Sequence, residues 1–248
     1  MGALTSQLTN RALYPFYASV TFYFIVFQPC VKIPSLSIFA AIFKALPVWT
    51  LVLYVRLTSG DRSSRYLPKT VYHQNVMFAL FFSSLGDIFL IFDTDLFEDG
   101  LLCFAVAQLF YFSVMRGAWS ESSVRYVFLF ACLVTFSYIL NTIDDAIMDT
   151  FILLYLVLLY AMGWRATSKL LMGDTSSEGM AFFFGSMLFI VAETMLALNK
   201  LSRPSPIAEF VGCFLYYAAH LCYVITTGPV KIPFRTENVI RIILKQNI

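Results

Sequence analysis

The chain has 248 residues, 59% hydrophobic and 13% charged, with a mean hydropathy of +0.76 and a formal net charge of +2. A water-soluble domain is about 25% charged, so this composition excludes one and excludes disorder, and it lacks the basic surface that nucleic-acid phosphates need. What remains is an all-α, polytopic membrane protein.

A helix crossing about 30 Å of hydrocarbon takes roughly 20 apolar residues. Eight stretches qualify as transmembrane helices: 13–28, 36–57, 74–93, 97–115, 124–141, 147–164, 179–198 and 208–227. The first follows a polar Met1–Asn10 with no basic n-region and no small-x-small cleavage site, so it reads as a retained span rather than a signal peptide. Connections are too short to hold a soluble domain. Residues 1–228 are thus one transmembrane domain, and 229–248 form a cytosolic or interfacial tail. In that tail Val239, Ile240, Ile242, Ile243 and Leu244 are interleaved with Arg241 and Lys245.

Eight spans place thirteen Lys and Arg on the side of the two termini, against Lys32, Lys200 and Arg203 on the other. The excess marks the termini as cytosolic. The opposite loops are acidic, with Asp93, Asp95, Glu98, Asp99, Asp144, Asp145 and Asp149. The cysteines at 30, 103, 132, 213 and 222 contain no C-x-x-C and so indicate neither a zinc knuckle nor a redox pair.

Lys44 is the one basic residue well inside a span rather than at its edge, and Asp87, Glu193 and His220 are the acidic residues and histidine at comparable depth. Each charge costs on the order of 2.5–3.5 kcal/mol at a helix centre on insertion scales, so each needs a partner or a purpose. Lys44 lies eight residues into span two, Asp87 six before the end of span three, and Glu193 five before the end of span seven. At about 1.5 Å per residue these depths agree within a few ångströms, in the lumenal half. His220 is nearer the midplane. Ser83, Ser84, Ser186, Gln108, Tyr111, Tyr216, Tyr217 and Tyr223 extend the polar faces.

Two readings stay open for these residues. Lys44 and Asp87 form an ion pair that only fixes packing, or Asp87 and Glu193 form a chemical pair. The serines fit small packing residues between membrane helices, and His220 fits a satisfied structural histidine as well as a site residue. With histidine only at 73 and 220, a three-His zinc hydrolase is excluded, as are a G-x-S-x-G elbow and a glycine-rich phosphate loop. Two carboxylates, a lysine and a histidine in a membrane interior suit acid–base chemistry on a lipid, or proton-coupled transport. A third alternative is lipid binding without bond cleavage.

Five segments carry a resemblance. Ser83-Ser84-Leu85-Gly86-Asp87 resembles the S-x-x-G-D signature of the lysoplasmalogenase family, the YhhN-like membrane proteins. Phe97 through Tyr111, with Gly100, Phe104 and Ala107, resembles its F-x-x-G-x-x-x-F-x-x-A-H-x-x-Y helix. Lys44-Ala45-Leu46-Pro47 is similar to its K-x-L-P segment, Ala192-Glu193 through Asn199 to its S-D-x-x-L-A-x-N segment, and Tyr216-Tyr217-Ala218-Ala219-His220 to its Y-Y-x-A-Q segment. The chain departs at three of these places. Glu193 replaces the second aspartate, while Gln108 and His220 exchange the family's histidine and glutamine. Gln108 and His220 are therefore expected to face each other.

The resemblance implies hydrolysis of the vinyl ether bond of a lysoplasmalogen, giving a fatty aldehyde and glycerophospho-ethanolamine or -choline. It implies a lysophospholipid substrate, no metal or other cofactor, and by substrate class the endoplasmic reticulum. Asp87 and Glu193 are the expected catalytic pair. Lys44, Gln108, Tyr111, Tyr216, Tyr217 and His220 are expected to bind substrate or tune that pair. A faint echo, Asp87 then Gln108 and Glu193 then His220, admits a four-plus-four duplication.

Overall fold

A computed structural model of the chain describes residues 8–31, 37–59, 67–92, 96–115, 123–140, 145–201 and 204–227. The expected tail at 229–248 lies outside them. Among the described residues there is no strand. A short 3-10 turn, Arg11–Leu13, capped by the Asn10 side chain, leads into eight α-helices. These are α1 (Tyr14–Phe27), α2 (Ile38–Ser59), α3 (Leu67–Ile91), α4 (Phe97–Val114), α5 (Val124–Leu140), α6 (Ala146–Leu171), α7 (Ser177–Leu201) and α8 (Pro206–Ile225). Each expected span falls on one helix.

Six of them, α2, α3, α4, α6, α7 and α8, are long and apolar enough to cross a membrane. The protein is an integral, multi-pass membrane protein. The remaining two are shorter, with 14 residues in α1 and 17 in α5. Helices also outrun the apolar stretches that announce them. α6 continues past residue 164 to Leu171, carrying Arg165, whose Nη2 donates to the Met115 carbonyl at 2.5 Å. Hydropathy marks where hydrocarbon ends, whereas the backbone coils on until a cap stops it. Here Gly173, at φ +96°, follows the end of α6. Asp174 beside it pairs with Lys169 at 3.1 Å and accepts from Ser176, which holds its carboxyl below the ordinary aspartate range.

The six long helices close into a ring, in the order α2, α3, α4, α6, α7, α8 and back to α2. α1 packs against α2, and α5 against α6. Large apolar side chains such as Ile25, Leu53, Phe130, Phe184 and Phe214 face outward, as lipid contact requires. Polar residues collect in the interior instead, among them Ser83, Asp87, Gln108, Ser186, Glu193 and His220. With water-soluble proteins the distribution is the reverse.

Close approach of α3 and α4 depends on Gly86. A Cβ there would stand 2.6 Å from the Phe104 ring. Gly86→Val is expected to destabilise the protein by about 1–3 kcal/mol through overpacking and to lower the thermal unfolding midpoint in detergent. An unchanged midpoint would show that α3 and α4 do not meet at this pair.

Candidate active site

Three ring helices bring charge to one place. Lys44 on α2 places Nζ 3.9 Å from Asp87 Oδ1 on α3 and 4.0 Å from Glu209 Oε1 on α8. Tyr216 on α8 donates its hydroxyl to Asp87 Oδ2 at 2.7 Å. Asp87 is thus held by a cation on one oxygen and a phenol on the other. Lys44 sits just before Pro47, which lies inside α2 and lacks the amide that would bond to the carbonyl of Phe43. The adjoining Lys44 carbonyl accepts the Tyr217 hydroxyl at 2.8 Å, tying α2 to α8 at the lysine itself.

Glu209 is anchored from the α7–α8 connection. Asn199 Nδ2 donates to Glu209 Oε2 at 2.9 Å, while Asn199 Oδ1 accepts the Ser205 amide at 2.5 Å. Cys213 Sγ approaches Glu209 Oε1 at 3.6 Å.

Glu193 on α7 has different company. It is 6% exposed, and Oε1 has no hydrogen-bond partner among the described residues. The Tyr155 hydroxyl of α6 approaches the carboxyl without closing a bond of normal geometry. No Lys or Arg lies within ion-pair distance of it among the described residues.

Lys44, Asp87, Glu193, Glu209 and Tyr216 all line one cavity of about 220 Å³. Lys200, Asn199, Tyr23 and Tyr155 also line it, and the rest of the wall is apolar, formed by residues such as Phe97, Leu101, Phe104, Ile152, Leu156 and Leu196. The lining comes from the C-terminal ends of α1, α3, α5 and α7 and the N-terminal halves of α2, α4 and α6, with Glu209 and Tyr216 from α8, so the cavity lies at one end of the ring. An apolar chamber with a few converging polar groups is the ordinary form of a small-ligand site.

Not every expected site residue reaches it. Gln108, Tyr111 and His220 are fully buried but stand outside the cavity lining. His220 Nδ1 lies 2.7 Å from the Tyr111 hydroxyl, one turn from Gln108 on α4. Tyr217 acts through the Lys44 backbone. Ser84 bonds back to the Phe81 carbonyl at 2.6 Å, and Ser186 to Tyr223 at 2.6 Å, as packing serines do. Glu209 and Tyr155 join the expected set. The signal for Glu209 was its place on the α8 stripe with Cys213, Tyr216 and His220, at helical spacing. It sits in the first turn, at the edge of the expected span 208–227, where a charge is ordinary.

A lipid-facing helical ring enclosing carboxyls and a lysine paired to them defines a membrane protein built around an internal polar site. The chain matches the YhhN family over residues 39–227 and belongs to it. It is 29% identical over 226 residues to human lysoplasmalogenase TMEM86A, covering 84% of this chain and 85% of that protein. Bovine lysoplasmalogenase TMEM86A is 30% identical over 215 residues, covering 84% and 85%. Human lysoplasmalogenase TMEM86B is 29% identical over 226 residues, covering 90% and 88%. No solved structure matches the chain.

Lys44→Met leaves Asp87 and Glu209 buried without their cation, and breaking such a pair costs about 3–5 kcal/mol. Thermal unfolding of the purified protein should show a large loss, partly recovered in Lys44→Met/Asp87→Asn. Additive losses in the two single variants and the double variant would mean that the two residues do not interact.

Proposed function

We propose that the protein is a lysoplasmalogenase-type hydrolase, cleaving the vinyl ether bond of a lysoplasmalogen by carboxylate acid–base catalysis. The observation that carries this reading is the asymmetric pair: Asp87 and Glu193 line one apolar cavity, and the lysine stands at ion-pair distance from Asp87 alone of the two. Family membership and the relatives' names support the same class.

The chemistry follows from the bond. Hydrolysis of a vinyl ether begins with proton transfer to the alkene carbon beta to oxygen. Glu193 supplies that proton, its O–H bond breaking as the new C–H bond forms from the π electrons. The product is an oxocarbenium ion, positively charged across carbon and oxygen. Asp87, held as a carboxylate by Lys44 and Tyr216, faces the cation and takes a proton from water as the water oxygen bonds to the cationic carbon. The hemiacetal then collapses. Its hydroxyl proton returns to Glu193, the carbon–oxygen bond to glycerol breaks, and Asp87 returns its proton to the departing oxygen. One water is consumed. A fatty aldehyde and a glycerophospho-ethanolamine or -choline are released, and both carboxyls regain their starting states.

Purified protein should release aldehyde from a vinyl-ether lysolipid and none from the saturated ether analogue, which cannot form the cation by this route. Asp87→Asn and Glu193→Gln should each lower turnover by about 100-fold or more while remaining extractable and folded. Proton flux in sealed vesicles without aldehyde release would replace the hydrolase reading with transport.

The same proposal takes all eight helices as spans, arranged as two halves of four, with both termini cytosolic and the protein in the endoplasmic reticulum. The cavity then opens toward the lumenal side, since its end of the ring carries the acidic connections. Tags at residues 1 and 248 should share one protease sensitivity in sealed microsomes. Opposite sensitivities would exclude an even number of spans.

A further inference from the structure

Ser83, Gln108 and His220 belong to three different helices, and each is fully shielded from solvent. Four of their polar atoms, Ser83 Oγ, both amide atoms of Gln108 and His220 Nε2, have no hydrogen-bond partner among the described residues. Buried polar atoms without partners cost about 1–3 kcal/mol each, and native interiors rarely leave them so.

Helix register puts these atoms at one level. α3 and α8 run antiparallel, with Asp87 bonded to Tyr216 and His73 bonded to the Thr227 carbonyl. One turn back from Asp87 on α3 therefore matches one turn on from Tyr216 on α8, and Ser83 falls opposite His220. α4 and α8 run parallel. Phe104 meets the ring of Tyr216, and Tyr111 stacks on Tyr223 at 4.2 Å between centroids. The offset is the same in both contacts, and it sets Gln108 level with His220. The three residues thus lie at one level, about one helical turn beneath Asp87. Gln108 and His220, the pair expected to face each other, share this level, but the imidazole bonds to Tyr111 and not to the amide.

His220 Nδ1 bonds to the Tyr111 hydroxyl, so Nε2 donates or accepts according to the tautomer that bond selects. The layer then offers a donor and an acceptor from the Gln108 amide, and either from Ser83 and His220. That mixture matches water, which in protein interiors makes about three hydrogen bonds to such groups. The layer is separate from the lipid cavity, because none of the three residues lines it. Tyr216 stands between the two, its hydroxyl on Asp87 and its ring edge-on to the His220 ring at 4.4 Å.

We propose that Ser83, Gln108 and His220 form a bound-water site beneath the carboxylates that holds the water consumed in hydrolysis. The role of that water rests on the hydrolase reading. A lysolipid seated in the cavity displaces bulk water from Asp87 and Glu193, yet each turnover needs one molecule. A resident water on the far side of Asp87 meets that need without opening the cavity.

Two measurements test this. A map of the wild-type chain, substrate-free and at a resolution that shows ordered water, should contain density within about 2.7–3.2 Å of the Gln108 amide and His220 Nε2. A direct Gln108–His220 or Gln108–Ser83 bond with no density between overturns the site, whatever the activity and whether or not any variant folds. In turnover of a vinyl-ether lysolipid, Gln108→Met should lower kcat about tenfold at unchanged KM. Gln108→His, which keeps a donor and an acceptor, should retain most of it. Density together with wild-type kcat in Gln108→Met overturns the supply role. Density in a wild-type protein that releases no aldehyde overturns the hydrolase reading and the supply role with it, while the water site itself stands on the map.

Discussion

The Lys44 ammonium is the constraint around which the rest of the molecule is arranged. A lone charge at this depth is costly in a membrane protein, and Lys44 divides itself almost equally between Asp87 and Glu209. Those two residues come from α3 and α8, so one side chain on α2 fastens three helices of the ring at a single point. Tyr217 on the Lys44 carbonyl and Tyr216 on Asp87 complete the joint from α8. Glu193, on the neighbouring α7, stands beyond ion-pair distance of Lys44. The unequal treatment of the two carboxyls therefore follows from how the ring is closed.

That closure also explains the short helices. α1 and α5 are not needed to complete the ring, and each packs on the helix that follows it. The strongest neighbours are α3 with α4 and α7 with α8. Asp87 and Glu193 belong one to each of these pairs and line the same cavity.

Much of this was legible in the amino-acid order. Apolar length located all eight helices, six of which are long and apolar enough to cross a membrane. The depths of Lys44 and Asp87 foretold their pairing, since straight helices convert residue counts into ångströms. What escaped was lateral information. Counting along a helix gives the depth of Gln108 and His220 but not the rotation that turns them away from the cavity and His220 toward Tyr111. Glu209 escaped for a different reason. It occupies the first turn of α8, where a charge is unremarkable by hydropathy, and only the folded α7–α8 connection, through Asn199 and Ser205, directs it at Lys44.

The contact between Gly86 and Phe104 carries a consequence for substrate breadth. Gly86 immediately precedes Asp87, and Phe104 forms part of the cavity wall at that depth. Any side chain at 86 displaces the ring, and any smaller group at 104 makes room for one. The two positions are therefore bound to vary as a couple, with their combined volume conserved. The calibre of the chamber beside the carboxylate is set by how that volume is shared across the α3–α4 seam, so redistributing it would change the chamber's width without touching a charged residue.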